Sequence, residues 1–579
     1  VSKTLIKPEY SPGSKVKADA EPARPWYRTT WFLALASSIA LWLPLSPLNL
    51  SPLGWIAPLG WLLLIREEKL SGKRAYGVIY LAGLLNWLLI LEGIRRAYWA
   101  LYFGWFALAA YLAIYVLLFV GLSRVAVHRL RVPLCLAAPL VWVGLEFVRG
   151  YAITGFSMAL LGHTQTGLVP LLQIADLGGA HAVSFVVMFV AAAIAQALPW
   201  NGRSERWPIA AMAVVLAGVF GYGYWRMSAA DDAREASGKS LNVVLLQNSV
   251  DTIFGEPSEL PTYKKYLQQA KVAAEEHPDT QLMVWPESVF IGQTPDFVAD
   301  ADAKLEHVRE DDLEKLIAQQ KLAFATHAQA MTGFVNGRDG ERREIAHIVG
   351  TMTWHLRSDR VDTYNSALLL SPRGEVEARY HKMHRVMFGE YIPFGEMFPA
   401  IYKLTPMPAG LARGKHTPAM NVAGYKLAPS ICFESTVPHL IRRQVRELEA
   451  RGESPDLLVN VTNDGWFWGS GILDLHYKCA VMRAVEHRRP MLVAANTGFS
   501  TAIDPTGRPL AVGPRRQVET LAVSVPVYRL GSFYSRFGDL FGIACMTFVG
   551  ACGGVAVWNR MSKPESRNPK QARNSNPAE

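Results

Sequence analysis

The sequence predicts a polytopic α-helical membrane domain of about eight transmembrane helices joined to a large layered α/β domain. Three observations predict it. The chain has 579 residues, too many for one ordinary core. Its mean hydropathy is positive, +0.12, although only 50% of its residues are hydrophobic, so the apolar residues must be concentrated in parts of the chain. From Leu241 to about residue 530 the pattern changes to short β-rich runs alternating with longer helical stretches, as in a layered α/β domain. The formal net charge of +10 does not point to nucleic acid. The positive residues cluster between apolar segments and at both ends, which is the signature of membrane topology.

The elements follow in chain order. Residues 1–30 form a polar, basic tail with no short apolar core and cleavage site behind it, so they do not read as a signal peptide. Apolar stretches then lie at 30–48, 52–65, 76–94, 98–122, 132–148, 180–198 and 207–225, and a last one at 536–557. A bilayer core of roughly 30 Å needs about 20 helical residues, so 52–65 and 132–148 are short for a crossing. Arg66, Lys69, Lys73 and Arg74 follow the second stretch, Arg124, Arg129 and Arg131 the fourth, and Arg203 and Arg206 the sixth. The alternate loops are poorer in positive charge, which predicts cytoplasmic termini and an exported segment between residues 226 and 535. The expected organisation is a tail (1–30), a seven-helix domain (31–225), a linker (226–240), a catalytic domain (241–530), a final helix (531–558) and a second basic tail (559–579). Glu92, Glu146, His163 and Asp176 interrupt the apolar runs, and such groups are functional candidates. A pairing of Glu146 with Arg149 at a helix end is the structural alternative.

In the exported part, strands are predicted at 242–247, 282–285, 348–352, 366–370 and 457–460. Helices are predicted at 258–276, 302–320, 437–451 and 474–489. No GxGxxG or GxxxxGK[ST] loop occurs, so a nucleotide site has no support. The five cysteines lack the spacing of a zinc or redox site, and Cys135, Cys545 and Cys552 lie in apolar runs. Neither a metal nor another cofactor is expected.

Four points carry chemistry. Glu287 ends the strand-like Val284-Trp285-Pro286-Glu287-Ser288. Lys382 stands in Arg379-Tyr380-His381-Lys382-Met383-His384, shortly before Phe388-Gly389-Glu390-Tyr391. Cys432 follows the apolar run from Leu427 to Ile431 and precedes Phe433-Glu434, and Asn460 to Phe467, with Trp466, ends another strand. Strand ends are where open α/β sheets gather ligands. A thiol needs a base and a cation to act as a nucleophile, and a carboxylate with an ammonium supplies both. A lone cysteine after a strand is more often core; Cys479, on a predicted helix, is read that way.

Trp-Pro-Glu-Ser, His-Lys followed by Phe-Gly-Glu-Tyr, and Cys-Phe-Glu resemble the motifs of the carbon–nitrogen hydrolase (nitrilase) superfamily over about residues 240–530. Tyr364-Asn365-Ser366-Ala367 and Asp504-Pro505-Thr506-Gly507-Arg508 fit the same pattern. The apolar segments on either side, with Leu145 to Gly150 and Thr154-Gly155-Phe156, are similar to its membrane-embedded branch, the apolipoprotein N-acyltransferases. The resemblance implies a four-layer αββα domain and a Glu287-Lys382-Cys432 triad. It implies support from Glu390, Glu434 and the Phe433 backbone N–H. It also implies two-step transfer of an acyl chain, by way of a Cys432 thioester, from a membrane phospholipid to the amino-terminal amine of a diacylated apolipoprotein. The expected location is the bacterial inner membrane, with the catalytic domain in the periplasm. Departures from the family pattern are Met387 for a frequent Pro, Phe433 for a frequent Tyr, the absence of a Trp after Gln247 (Phe254 is the nearest aromatic), and a long 295–345 region. The stretch from Met387 to Met407, with Phe388, Tyr391, Phe394 and Phe398, suits an interfacial lid that dips into lipid, or a loop packed on its own domain. Two other readings use the same residues: a membrane-anchored amidase acting on a small C–N bond, and a non-enzymatic lipid or lipoprotein scaffold.

Overall fold

The structure, a computed structural model, describes residues 25–561 apart from 71, 73, 97, 252–258, 291–293, 305–307, 338–341 and 405–409. The basic tails (up to residue 24 and from 562), Phe254 and Met407 therefore lie outside the described residues. Each of the eight apolar stretches contains helix: Thr30–Trp42, Leu59–Arg66, Ala75–Ile90, Leu101–His128, Leu134–Tyr151, Ala180–Ala197, Trp207–Ser237 and Leu540–Met561. Only five of these, the last five in that order, are long and apolar enough to cross a bilayer by length and composition. The 13 residues of Thr30–Trp42 and the 8 of Leu59–Arg66 rise only about 20 and 12 Å at 1.5 Å per residue. Pro44 and Pro47 follow the first, and Pro52 and Pro58 interrupt the second, where the missing N–H and the ring oppose helix.

Leu134–Tyr151 packs against Ala180–Ala197, Leu101–His128 and Leu540–Met561. A side chain at Gly144 would meet the Cys545 carbonyl at 2.5 Å, so this glycine allows the last helix to approach the backbone closely. Two boundaries differ from expectation. The stretch 226–237, expected as linker, continues the preceding helix because Met227 to Ala236 is rich in strong helix formers; Gly238, at φ 57°, ends it. The last helix starts only at Leu540, after a short turn Phe533–Phe537 and Gly538 at φ 76°. Glu146 forms no salt bridge with Arg149; it accepts hydrogen bonds from Trp142 Nε1 and the Leu161 N–H, both at 2.8 Å.

The α/β part contains two sheets. The first comprises β1 (Ser240–Gln247), β2 (Leu282–Val284), β3 (Asp296–Ala299), β4 (Ala346–Leu356), β5 (Val361–Leu370), β6 (Val376–His381) and β13 (Glu519–Pro526). Its order is β13-β1-β2-β4-β5-β6, with β3 beside the far half of β4. The second runs β12 (Pro509–Val512), β11 (Thr501–Ile503), β10 (Met491–Ala495), β9 (Leu457–Thr462), β8 (Tyr425–Ile431) and β7 (Met420–Val422). One buried cluster joins the two inner faces: Val243, Leu245, Ile348 and Leu369 meet Leu427, Ile431, Val459 and Leu492. The outer face of the first sheet packs against the helices Glu259–Glu276 and Glu310–Asn336. The helices Pro438–Ala450 and Ile472–His487 cover the second sheet and merge with the core of the apolar helices. These layers form an αββα sandwich.

The helix expected at 302–320 is Glu310–Asn336 instead. Glu310, Asp311 and Asp312 occupy its first turn, where carboxylates favour a helix amino terminus, and Gly337 at φ 89° closes it. The long 295–345 region is thus β3 plus this helix, with Phe297, Leu313 and Leu356 forming a small core of their own.

Candidate active site

Strand direction gathers the predicted residues. β2 and β4 are parallel, and β5 reverses so that β6 runs with them. Glu287, just past β2, and Lys382, immediately after β6, therefore emerge at the same end of the first sheet. β8, β9 and β10 are parallel in the second sheet, and Cys432 and Asn463 follow β8 and β9 directly. The chain passes Glu287 at very close range: a Cβ on Gly350 would lie 2.6 Å from the Glu287 Cα.

Lys382 is buried and its Nζ lies 3.2 Å from Glu287 Oε1 and 2.7 Å from Glu390 Oε1. Asn365 Nδ2 donates to the same two oxygens, at 2.7 and 3.0 Å. Glu287 Oε2 accepts from the Asn463 N–H at 2.9 Å, and Glu390 Oε2 from the Val386 N–H at 2.8 Å. Burial opposes the Lys382 charge, but Glu287 and Glu390 outweigh it and hold the ammonium well above the ordinary lysine range. Cys432 has φ 53°, the left-handed region that a non-glycine residue rarely occupies. Burial and the Glu287 charge push its thiol well above the usual range, Lys382 pulls it down, and Thr462 offers the sulfur a hydrogen bond. Glu287 and Lys382 thus act on this thiol in opposite directions.

Glu434 is completely buried and joins the two sheets. Its Oε1 accepts from the N–H groups of Met383 (2.6 Å) and His384 (2.8 Å), and its Oε2 from Ile431 N–H (2.8 Å) and Tyr380 Oη (2.7 Å). It ties the segment carrying Lys382 to the turn carrying Cys432. Phe433 is second in the 3-10 turn Cys432–Thr436, where the first N–H groups of a helix have no acceptor within it. Its side chain packs against a buried cluster in which Trp87 and Leu112 of the apolar helices meet Ile472 and Leu475, so the residue after Cys432 faces the apolar helices. Among the described residues no cluster of His, Cys, Asp or Glu could hold a metal ion.

Residues 37–193 match the family model described as the apolipoprotein N-acyltransferase N-terminal domain, and residues 246–534 match carbon-nitrogen hydrolase. The apolipoprotein N-acyltransferase of Rhodopirellula baltica is 32% identical over 572 residues, covering 90% of this chain and 97% of that one. That of Geobacter metallireducens is 30% identical over 544 residues, covering 91% and 95%. The chain belongs to the apolipoprotein N-acyltransferase family.

The other predicted residues of this family member range from exposed to buried. Phe388, Phe394 and Phe398 are exposed, Phe394 by 72%, and Met397 beside them by 69%. Phe388 and Phe394 have φ of 62° and 63°, an unfavourable backbone for an aromatic residue. Tyr391 is half-buried under the Arg385 guanidinium, 4.6 Å from its ring centroid. Trp466 is half-buried in the short helix Asp464–Phe467. Cys479 is buried among Leu475, Ile472 and Leu112. Sequence reasoning did not single out Asn365, Thr462, Asn463 or His476 as site residues. Asn365, Thr462 and Asn463 fall within noted motifs, and that is the only signal.

Proposed function

We propose that this chain transfers an acyl chain from a membrane phospholipid to the amino-terminal amine of a diacylglyceryl-cysteine apolipoprotein, by way of a thioester on Cys432. The observation that carries the reading is the Glu287–Lys382–Glu390 cluster, whose Glu287 and Lys382 charges act on the Cys432 thiol. Glu287 takes the proton of the thiol as the sulfur attacks the ester carbonyl. Lys382 and the Phe433 N–H stabilise the tetrahedral oxyanion, a task for which one donor typically supplies about 2.7–4 kcal/mol. Collapse breaks the ester C–O bond, and the lysophospholipid leaves with the proton from Glu287. The acceptor amine, with an ordinary pKa of about 7.7–8.0, then attacks the thioester; Glu287 takes its proton and the thiol is released. Asn365, Glu390 and Glu434 hold the three groups in place without reacting.

The match of residues 37–193 to the apolipoprotein N-acyltransferase N-terminal domain favours this reading over a small-molecule amidase. Both substrates carry acyl chains, so the site belongs at the bilayer surface. The eight apolar helices then serve as the anchor, with the catalytic domain in the periplasm of an inner-membrane protein and both termini in the cytoplasm. The exposed Phe388, Phe394, Met397 and Phe398 act as the interfacial lid. Incubation with phospholipid followed by mass spectrometry of the Cys432 peptide tests the proposal. An acyl adduct on that residue is the expected result, and an unmodified Cys432 under turnover conditions would refute it.

A further inference from the structure

Asp464 and His476 are outside the triad, yet His476 hydrogen-bonds the Cys432 backbone and is itself held by Asp464. Asp464 opens the short helix after β9, and its Oδ1 accepts from Thr462 Oγ1 at 3.1 Å. His476 lies in the first half of Ile472–His487 and is buried. Its Nδ1 is 3.1 Å from Asp464 Oδ1, and its Nε2 is 3.0 Å from the Cys432 carbonyl oxygen and 2.8 Å from Ser435 Oγ. Asp464 and the Cys432 carbonyl only accept, and Ser435 Oγ donates its one hydrogen to that carbonyl, so Oγ accepts from Nε2 and each ring nitrogen carries a hydrogen in this network, which makes His476 an imidazolium. Burial works against that charge, but the charge and hydrogen bond of Asp464, the Cys432 carbonyl and the charge of Glu287 outweigh it.

The arrangement has two consequences for Cys432. Its carbonyl receives hydrogen bonds from His476, from Asn460 Nδ2 at 3.2 Å and from Ser435 Oγ at 3.3 Å, which secures a backbone in the left-handed region. The Asp464 charge also opposes thiolate formation, as does Glu287, with Lys382 acting the other way. A positive ring between Asp464 and the nucleophile turn offsets that opposition. We propose that His476 is a positioning residue for acyl transfer: paired with Asp464, it pins the Cys432 carbonyl and supplies the charge that lets the thiolate form beside Lys382. The inference rests on the reading of Cys432 as the nucleophile.

The test is iodoacetamide labelling of Cys432 in the full-length protein in detergent, followed by peptide mass spectrometry across a range of pH. The other four cysteines are buried, so the labelling reports the thiolate of Cys432. His476→Gln keeps a donor but leaves Asp464 uncompensated. Labelling near neutral pH should fall about tenfold, equivalent to a rise of about one unit in the thiol pKa. Combining it with Asp464→Asn removes the opposing charge and should restore most of the rate. A merely structural histidine predicts that the double variant is no faster than the single one, and that result overturns the proposal, as does an unchanged pH profile in His476→Gln. If His476→Gln does not fold, Asp464→Asn decides alone: both charges vanish together, so labelling should stay within about threefold of the parent, and a tenfold loss overturns the proposal. Labelling needs no acyl donor. A Cys432 that labels normally but never accepts an acyl chain therefore counts against the proposed function, not against the role of His476.

Discussion

Glu434→Gln changes one carboxylate oxygen to an amide nitrogen with almost no change in shape. Each oxygen of Glu434 accepts from two donors, Met383 and His384 on one side, Ile431 and Tyr380 on the other. Whichever way the amide turns, its NH2 faces two donors that then lose their acceptor. Leaving a buried donor unsatisfied costs about 1–3 kcal/mol, so the substitution should destabilise the region by about 2–6 kcal/mol. The loss falls on the link between the Lys382 segment and the Cys432 turn. A displacement of about 1 Å between reacting groups can cost on the order of 100-fold in rate, and acylation of Cys432 should slow by at least that factor. The assay is intact-protein mass spectrometry of the acyl-enzyme against time, with thermal unfolding measured in parallel. A variant that acylates within about twofold of the parent, with an unchanged melting temperature, would refute the argument that Glu434 holds the two sheets in register.

Three further outcomes are expected. Cys432→Ala should abolish acyl transfer while Cys479→Ala, in a buried apolar cluster, retains most of it; equal loss in two well-folded variants would remove the basis for choosing Cys432. Phe394→Ala with Phe398→Ala should slow turnover of phospholipid by orders of magnitude, at about 1.5–3 kcal/mol per aromatic ring inserted into lipid, yet leave acylation by a short soluble ester intact. If both donors fail equally, the segment supports the triad and is not a lid. A reporter active only in the periplasm should work when fused after Gly238, the end of the helix Trp207–Ser237; activity only in the cytoplasmic form would overturn the eight-crossing topology.

The positions of Glu287 and Cys432 were legible because each follows an apolar run that ends abruptly, as buried strands do, and β2 and β8 do end just before them; Lys382, after the largely polar β6, was legible only through the resemblance of its motif to a known family. Strand order was not legible, because pairing across the sheet is decided by tertiary packing and not by local pattern. The same holds for the contacts that complete the site. Asn365 reaches Glu287 across 78 residues, and His476 reaches the Cys432 carbonyl across 44, so no local spacing marks either residue. Each of the eight apolar stretches does contain a helix, but composition misjudged their extents. Pro44, Pro47, Pro52 and Pro58 shorten the first two below a bilayer's depth, while the alanine-rich 226–237 stretch lengthens the seventh.

The most direct test of the two-step reaction separates formation of the acyl-enzyme from its discharge. The protein, loaded from phospholipid and freed of excess donor, is mixed with a diacylglyceryl-cysteine peptide bearing a free amino terminus, or with the same peptide acetylated at that amine. The thioester on Cys432 should vanish with the free-amine peptide alone, at the rate at which the N-acylated peptide appears. Equal decay with both peptides, releasing free fatty acid, would mean that water and not the amine is the acceptor, and would contradict acyl transfer as the function of this site.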